Sequence, residues 1–471
     1  MKKIKKAVVK SASRGLAIIF ASYVVIYLMI RLLIIRDAPL MTRGGFVALI
    51  ALLFVCLTSF LIWTRSTIIY DIRKCCALAV VLVINMAIMV MFGKDYINLP
   101  YLVPYALCAL MCANLLDSKI TFLVSVNLLI IYFASQLLFV GNASQQLLYY
   151  ILFDGVFCCV ICSYSTNRHF TRARLVLLGV ILGITNAIFY ALSFALFNGV
   201  FVFKTFLTEI LLCFGGGLVL IMCLFLFIPL LEALFNLATD FRLIELTRTS
   251  APLLRKLFDE APGTYNHSMV VAIYAEACAT AIGANPFLVK AAAYYHDIGK
   301  CKNPQYFIEN QGGGPNPHDE LTPEASVLAI KKHCILGYSL AKEYNLPEEI
   351  CRAIIEHHGT MPLKVFYLRA KKMTDGELSY DQFHYDGPTP TTKTSAILMI
   401  CDACEAALRA SGNSSNAEEM VNAVVKERMD LNQFVDCDLS MKEIETIKKT
   451  IISTFVGVKH DRIVYPNVKL N

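Results

Sequence analysis

Apolar stretches of about 18 to 24 residues recur between Leu16 and Leu230 with only brief polar interruptions. A spanning helix needs about 20 apolar residues, so this half of the chain reads as membrane. The spans fall near 16–35, 45–64, 76–93, 98–115, 119–140, 147–164, 175–196 and 206–230. Eight spans put both ends on one side. The N-terminal tail with Lys10 and Arg14, Arg65/Arg73/Lys74, Lys119 and Arg168/Arg172/Arg174 share one face, whereas the opposite loops hold only Arg36, Arg43, Lys94 and Lys204. Positive residues collect on the cytoplasmic side, so both termini are expected in the cytoplasm of a multi-pass membrane protein.

Composition divides the chain at the same place. Hydrophobic residues make up 57% and charged residues 17%, with a mean hydropathy of +0.58, beyond the soluble globular norm. After Asp240 the composition is that of an ordinary soluble domain and holds eight of the nine histidines. We therefore expect a transmembrane region at 1–230, a helical connector at 231–260 and a soluble domain at 261–471. The net charge of +7 is largely the lysine-rich start beside the first span, a topology signal that calls for no DNA or RNA polymer. That span is long for a signal-peptide core and lacks a small-residue cleavage pattern, so it reads as an uncleaved helix. The 17 cysteines are scattered, and Cys401-x-x-Cys404 has no second pair, which argues against a structural zinc site and fits a reducing cytosol.

Within the membrane half, Asp154 sits mid-span and is either functional or a buried polar contact. Gly215-Gly216-Gly217 reads as close helix packing, and Trp63 beside Arg65 as an interfacial anchor. In the connector, Leu243, Ile244, Leu246, Leu253, Leu254 and Leu257 give a continuous or briefly broken amphipathic helix.

The soluble part reads as helical at 265–282, 286–296, 323–344, 347–358, 392–410, 416–430 and 441–455. The fold class is therefore all-α throughout. Along these segments lie His267, the doublet His296-Asp297, His333, the doublet His357-His358 and Asp402, separated by roughly 30, 36, 24 and 44 residues, so that several helices could deliver ligands to one bundle core. Neutral imidazoles bind borderline divalent ions such as Mn²⁺, Fe²⁺ or Zn²⁺, and a carboxylate can bridge two of them. Neighbouring helical residues point about 100° apart, so a doublet serves two ions or sits at a helix end. Two ions favour hydrolysis at phosphorus. His169, His318, His384 and His460 read as structural.

Several local contexts resemble a known family: Glu260-Ala-Pro-Gly-Thr-Tyr-Asn-His267, Tyr295-His-Asp-Ile-Gly-Lys300, Pro304-Gln-Tyr-Phe-Ile-Glu-Asn-Gln311, Asn316-Pro-His-Asp319, Glu356-His-His-Gly-Thr360 and Cys401-Asp402-Ala-Cys-Glu405. Together they are similar to the bacterial seven-transmembrane HD-domain phosphodiesterases that cleave cyclic di-AMP, over roughly residues 45 to 455. The resemblance implies a helical HD domain hydrolysing cyclic di-AMP to linear pApA. By position, His267, His296, Asp297 and Asp402 would hold one metal, and His333, His357 and His358 the other. Asp297 would bridge them and shape catalysis. We expect Mn²⁺ or Fe²⁺. Lys300 would be a catalytic and substrate-binding charge on the phosphate, against the plainer reading of a solvated lysine.

Two departures stand out. The family's large extracellular domain after the first span is replaced here by about nine residues, Arg36 to Gly44, so signal input by that route is absent or altered. Asn266 stands where the family has another His. The absence of a Gly-Tyr-Pro signature after His357-His358 favours the adenine dinucleotide over cyclic di-GMP. A nucleotide receptor without turnover would be expected to lose ligands, and none is missing. A transporter would be expected to carry more midplane charge than Asp154. The expected partners are cyclic di-AMP and the lipid bilayer, with self-association left open.

Overall fold

The computed structural model describes residues 2–35, 38–64, 66–92, 105–116, 118–139, 145–165, 171–197, 201–373, 378–411 and 416–458. They form two compact units, Met1–Thr239 and Asp240–Asn471. Among the described residues the only bridge pairing is Pro362 with His384; everything regular is helical.

The first unit holds α1 (Lys2–Leu33), α2 (Leu40–Trp63), α3 (Ile72–Phe92), α4 (Leu107–Leu115), α5 (Thr121–Phe139), α6 (Gln145–Ser165), α7 (Arg172–Phe197) and α8 (Phe203–Phe235). Among the described residues seven helices are long and apolar enough to cross a membrane. The exception is α4, where the expected 98–115 span has only nine helical residues in the described part. At 1.5 Å per residue that is about 13 Å, well short of the hydrocarbon thickness. Residues 93–104 of that stretch lie outside the described set, as do the counted charges Arg36, Arg65, Lys94 and Arg168.

Leu52, Leu177, Leu211 and Leu226 are exposed along these helices, the pattern expected of lipid-facing surface. Gly217 fulfils its packing role: a Cβ there would meet the Gly179 carbonyl oxygen and the Gly183 backbone, so α7 and α8 touch backbone to backbone. Asp154 is fully buried. Its Oδ1 accepts from the Cys158 thiol at 3.6 Å, Cys158 also faces Asn186 Oδ1 at 3.2 Å, and Asn186 Nδ2 donates to the Cys213 carbonyl at 3.3 Å. This chain of contacts links α6, α7 and α8 and matches the polar-contact reading. Trp63 ends α2 with 82% of its surface exposed, as an interfacial anchor would.

The connector is broken. Helix α8 stops at Asn236, whose φ of 51° and ψ of 49° are left-handed, a conformation asparagine tolerates at a helix end. The chain restarts as α9 (Asp240–Leu246) and α10 (Pro252–Glu260), which belong to the second unit. The two compact units meet along the chain at Thr239–Asp240, inside the stretch expected as connector.

The second unit continues with α11 (Pro262–Ala281), α12 (Pro286–Tyr295), α13 (Pro323–Glu343), α14 (Glu348–Glu356), α15 (Lys364–Met373), α16 (Lys393–Ser411), α17 (Ala417–Asp430) and α18 (Met441–Val458). The seven helices read from periodicity are all present within a few residues; α15 was not anticipated. Local chemistry sets the starts. Asn285 caps α12 by accepting from the Leu288 N–H, and Thr322 caps α13 by accepting from Ala325 N–H, each followed by proline at the first helical position. Helix α11 packs against α12, α16 and α18, and Val271, Ala275, Ile350, Ile354, Ile397 and Ile400 are fully buried.

Candidate metal centre

Five segments supply the seven expected ligands. His267 lies in α11, His333 in α13 and Asp402 in α16, while each doublet sits at a helix end. His296 is the C-terminal cap of α12 and Asp297 starts the following 3-10 turn with φ of −103°. His357 caps α14. The helix-end alternative therefore accounts for both doublets. His357 and His358 even fall in the same ligand group: Asp297, His333, His357 and His358 offer atoms within 4.8 Å of one another, as do His267, His296 and Asp402.

Asp297 joins the two groups. Its Oδ2 lies 3.1 Å from His296 Nε2 and 3.8 Å from His267 Nε2, while its Oδ1 lies 3.3 Å from His333 Nε2 and 3.7 Å from His357 Nε2. Asp402 Oδ1 is 3.0 Å from His267 Nε2 and 3.6 Å from His296 Nε2, and its Oδ2 is 3.8 Å from His358 Nδ1. His296, His333 and His357 each donate Nδ1–H to the carbonyl three residues back, at 2.7, 2.7 and 2.8 Å. That leaves Nε2 as the lone-pair nitrogen aimed inward. His358 is held differently, stacked on the Tyr385 ring at 4.2 Å.

Burial makes the group costly without a cation. His296 is fully buried and Asp297 1% exposed, yet His296 Nε2 and Asp297 Oδ1 have no hydrogen-bond partner. Orphaned buried acceptors converging with carboxylates and imidazoles fit divalent ions. The two groups respond oppositely to charge. Burial works against protonating His267 and His296, but Asp402 and Glu405, accepting hydrogen bonds from His267, and the Asp297 charge beside His296 win, raising the first and pushing the second up to about 10. Burial brings His333 down to about 3, only partly opposed by Asp297, and holds His358 well below its usual value, with His357 and His333 adding to it. Asp297 and Asp402 stay well below the carboxylate range despite burial, because His296, Lys300 and His267 surround them.

Lys300 is not a solvated lysine. Its Nζ lies 2.7 Å from Asp297 Oδ2 and 2.9 Å from Glu309 Oε1, and 4.7 Å from the centre of the Phe307 ring. Phe307 in turn packs edge-on against His333. The Glu309 carboxylate also accepts from the Thr264 hydroxyl at 3.1 Å, so the 307–310 segment is tied to α11 and to the lysine. His318 Nε2 meets the Tyr306 carbonyl and His384 Nδ1 the Thr360 carbonyl, in line with their structural reading. His169 and His460 lie outside the described residues.

Four neighbours had no assigned role in the sequence: Glu405, whose Oε2 is 2.6 Å from His267 Nδ1; Glu309; Tyr385; and Glu356, which accepts both the N–H and the hydroxyl of Thr391. A signal existed for Glu405, three residues beyond Asp402 on one helix, and for Glu356, which directly precedes the His357-His358 doublet. Glu309 and Tyr385 depend on loops whose paths carry no periodic pattern, and Glu356, which ends α14 just before His357, depends on the loop that brings Thr391 to it.

Two family models match the chain. One, described as a 7TM receptor with intracellular HD hydrolase, covers residues 40–239, and one for the HD domain covers 264–407. The chain belongs to the seven-transmembrane HD-hydrolase family. Its similar relatives include proteins named cyclic-di-AMP phosphodiesterase PgpH. The one from Listeria monocytogenes serotype 1/2a (strain 10403S) is 38% identical over 80% of this chain and 52% of its own length; the one from Bacillus subtilis (strain 168) is 34% identical over 82% and 54%. The chain spans about half the length of the curated relatives it matches. A crystal structure of the L. monocytogenes PgpH HD domain in complex with cyclic-di-AMP is 43% identical, covering 45% of this chain and 100% of that one, with a TM-score of 0.44.

Proposed function

We propose that this member of the HD-hydrolase family is a membrane-anchored, metal-dependent phosphodiesterase that opens cyclic di-AMP to linear pApA and so lowers that second messenger. The observation that carries the reading is the division of the Asp297 carboxylate, one oxygen toward each ligand group. The names of the relatives supply the substrate.

Two divalent ions, Mn²⁺ or Fe²⁺, held by His267, His296 and Asp402 on one side and by His333, His357 and His358 on the other with Asp297 between, would supply a nucleophile at neutral pH and stabilise charge on the attacking and leaving oxygens. Water adds to one phosphorus, the P–O3′ bond breaks, and the leaving oxygen takes a proton to become a 3′-hydroxyl, leaving a 5′-phosphate on pApA. Asp297 and Asp402 hold negative charge at the centre of the site. Lys300, kept between Asp297 and Glu309, is the nearby cation for a phosphate oxygen. The carbonyl-bonded imidazoles keep Nε2 fixed toward the centre and need no reorganisation during turnover.

The same reading places both termini in the cytoplasm. Seven long helices alone would separate the ends, so the even count rests on a crossing through the 98–115 region. The seven-transmembrane family model supports it, since residues 40–239 contain six of the long helices and α4. Reporters fused at Asn142 and after Asn471 should report opposite compartments; the same compartment for both would remove this topology. Regulation through the membrane region is part of the proposal, and insertions at 237–239 should then change hydrolysis by the full chain.

The substrate is tested by incubating the purified full chain with Mn²⁺ and cyclic di-AMP, cyclic di-GMP and the mixed dinucleotide, and resolving products by chromatography. Cyclic di-AMP should be consumed fastest, with pApA as product. Binding of a dinucleotide without turnover under metal-replete conditions would favour a receptor instead.

A further inference from the structure

The two ligand groups differ in charge and in how their imidazoles are braced. His296, His333 and His357 lean on backbone carbonyls, whereas His267 Nδ1 meets the carboxylate of Glu405 at 2.6 Å. Glu405 is buried, 5% exposed, and its other oxygen has Arg409 Nε 3.7 Å away at the domain surface. A carboxylate behind an imidazole fixes its tautomer and increases the basicity of the inward nitrogen beyond what a neutral carbonyl achieves.

Charge adds to this. The His267, His296 and Asp402 group has Asp402 Oδ1 at 3.0 and 3.6 Å from its two imidazoles, Asp297 Oδ2 at its edge, and Glu405 one ring behind. The His333, His357 and His358 group has three imidazoles with Asp297 Oδ1 among them and Asp402 Oδ2 only at its rim, 3.8 Å from His358 Nδ1. Lys300 also touches Asp297 Oδ2, but Glu309 faces the same ammonium, so that pair brings no net charge to the first group. A divalent cation is held more strongly where anionic charge is denser and its imidazole partners are more basic.

We propose that Glu405 makes the two metal positions unequal: the position of His267, His296 and Asp402 fills first, and that of His333, His357 and His358 fills second and exchanges more readily. Glu405 is a positioning residue acting through His267. The proposal rests on the two-ion reading of the site.

Equilibrium dialysis of the metal-stripped full chain in detergent against Mn²⁺, with elemental analysis, should give two ions per chain in two classes separated by at least about tenfold in affinity. Glu405→Gln keeps an acceptor for His267 Nδ1 and removes the charge; it should weaken the tight class by about 10–100-fold while the capacity stays at two. His358→Ala, on the other group, should abolish the weak class and spare the tight one. A thermal melt of each stripped variant separates these effects from misfolding. An unchanged tight class in Glu405→Gln that melts like the wild type, or loss of the tight class in His358→Ala, would overturn the ordering. Two ions of equal affinity in the wild type would overturn this proposal alone, whereas fewer than two would remove the two-ion reading with it.

Discussion

Both units bury polar side chains, but they bond them to different things. In the membrane unit Asn85 donates to the Val81 carbonyl, Asn127 to that of Leu123 and Ser125 to that of Thr121, each one turn back on the same helix. These bonds satisfy a polar residue locally in a low-dielectric setting, and the distant partners of the two asparagines are uncharged: Tyr23 donates to Asn127 Oδ1 at 3.2 Å and Asn85 Nδ2 faces the Met111 sulfur at 3.3 Å. In the HD unit His267 bonds residues 135 and 138 positions away, both acidic, and buried atoms of His296 and Asp297 are left over. A buried polar group is structural when its own helix satisfies it. It signals chemistry when ionisable partners converge from separate helices and still leave valences open.

The sharpest way to break that contrast is Asp297→Ala. Removing the shared carboxylate should cut hydrolysis by at least about a thousandfold and lower metal content. Far-UV circular dichroism should hardly change, since a domain of roughly 230 residues buries a substantial core without metal. Near-normal hydrolysis with two bound ions would end the bridging assignment. Lys300→Ala should retain both ions and slow turnover by about a hundredfold, as expected for one lost charge contact to the reacting phosphate; loss of metal instead would make the lysine a partner of Asp297 and not of substrate.

A matched pair of glycine substitutions compares close packing in the two units. A Cβ on Gly299 would strike the His333 carbonyl oxygen and the Gly337 N–H, driving the Asp297 turn away from α13. Gly299→Ala should therefore cost about 1–3 kcal/mol in unfolding measurements and also reduce hydrolysis. Gly217→Ala, which forces α7 from α8, should cost a similar ~1–3 kcal/mol in detergent melts without changing metal content. The smallest effect belongs to Asp154→Asn. If its contacts to Cys158 are only structural, hydrolysis by the full chain in membranes should stay within about twofold, and a large change would make Asp154 part of signal input.

The features legible in the sequence were those with a local cause. Apolar periodicity located the helices, and the two doublets marked candidate ligands that the structure brings together, because helix ends let adjacent side chains turn inward together. Helix α15 was missed because Lys364–Met373 mixes lysines and an arginine among its apolar residues, with Ala370 alone fully covered. The 98–115 stretch reads as a span from its hydropathy, and its described part is helical from Leu107 to Leu115. Lys300 lies beside Asp297, but its other carboxylate partner Glu309 arrives on a loop, and no spacing rule brings residues 300 and 309 together. Glu405 stood in plain view within a recognised motif, yet its role follows only from the geometry of α11 against α16.

Whether hydrolysis needs both metal positions is decided by adding Mn²⁺ stepwise to the metal-stripped full chain and following conversion of cyclic di-AMP to pApA. Little product should form through the first equivalent, with activity rising as the second ion binds and vanishing on chelation. Full activity in the stripped protein, or a maximum reached at one ion per chain, would contradict the need for both.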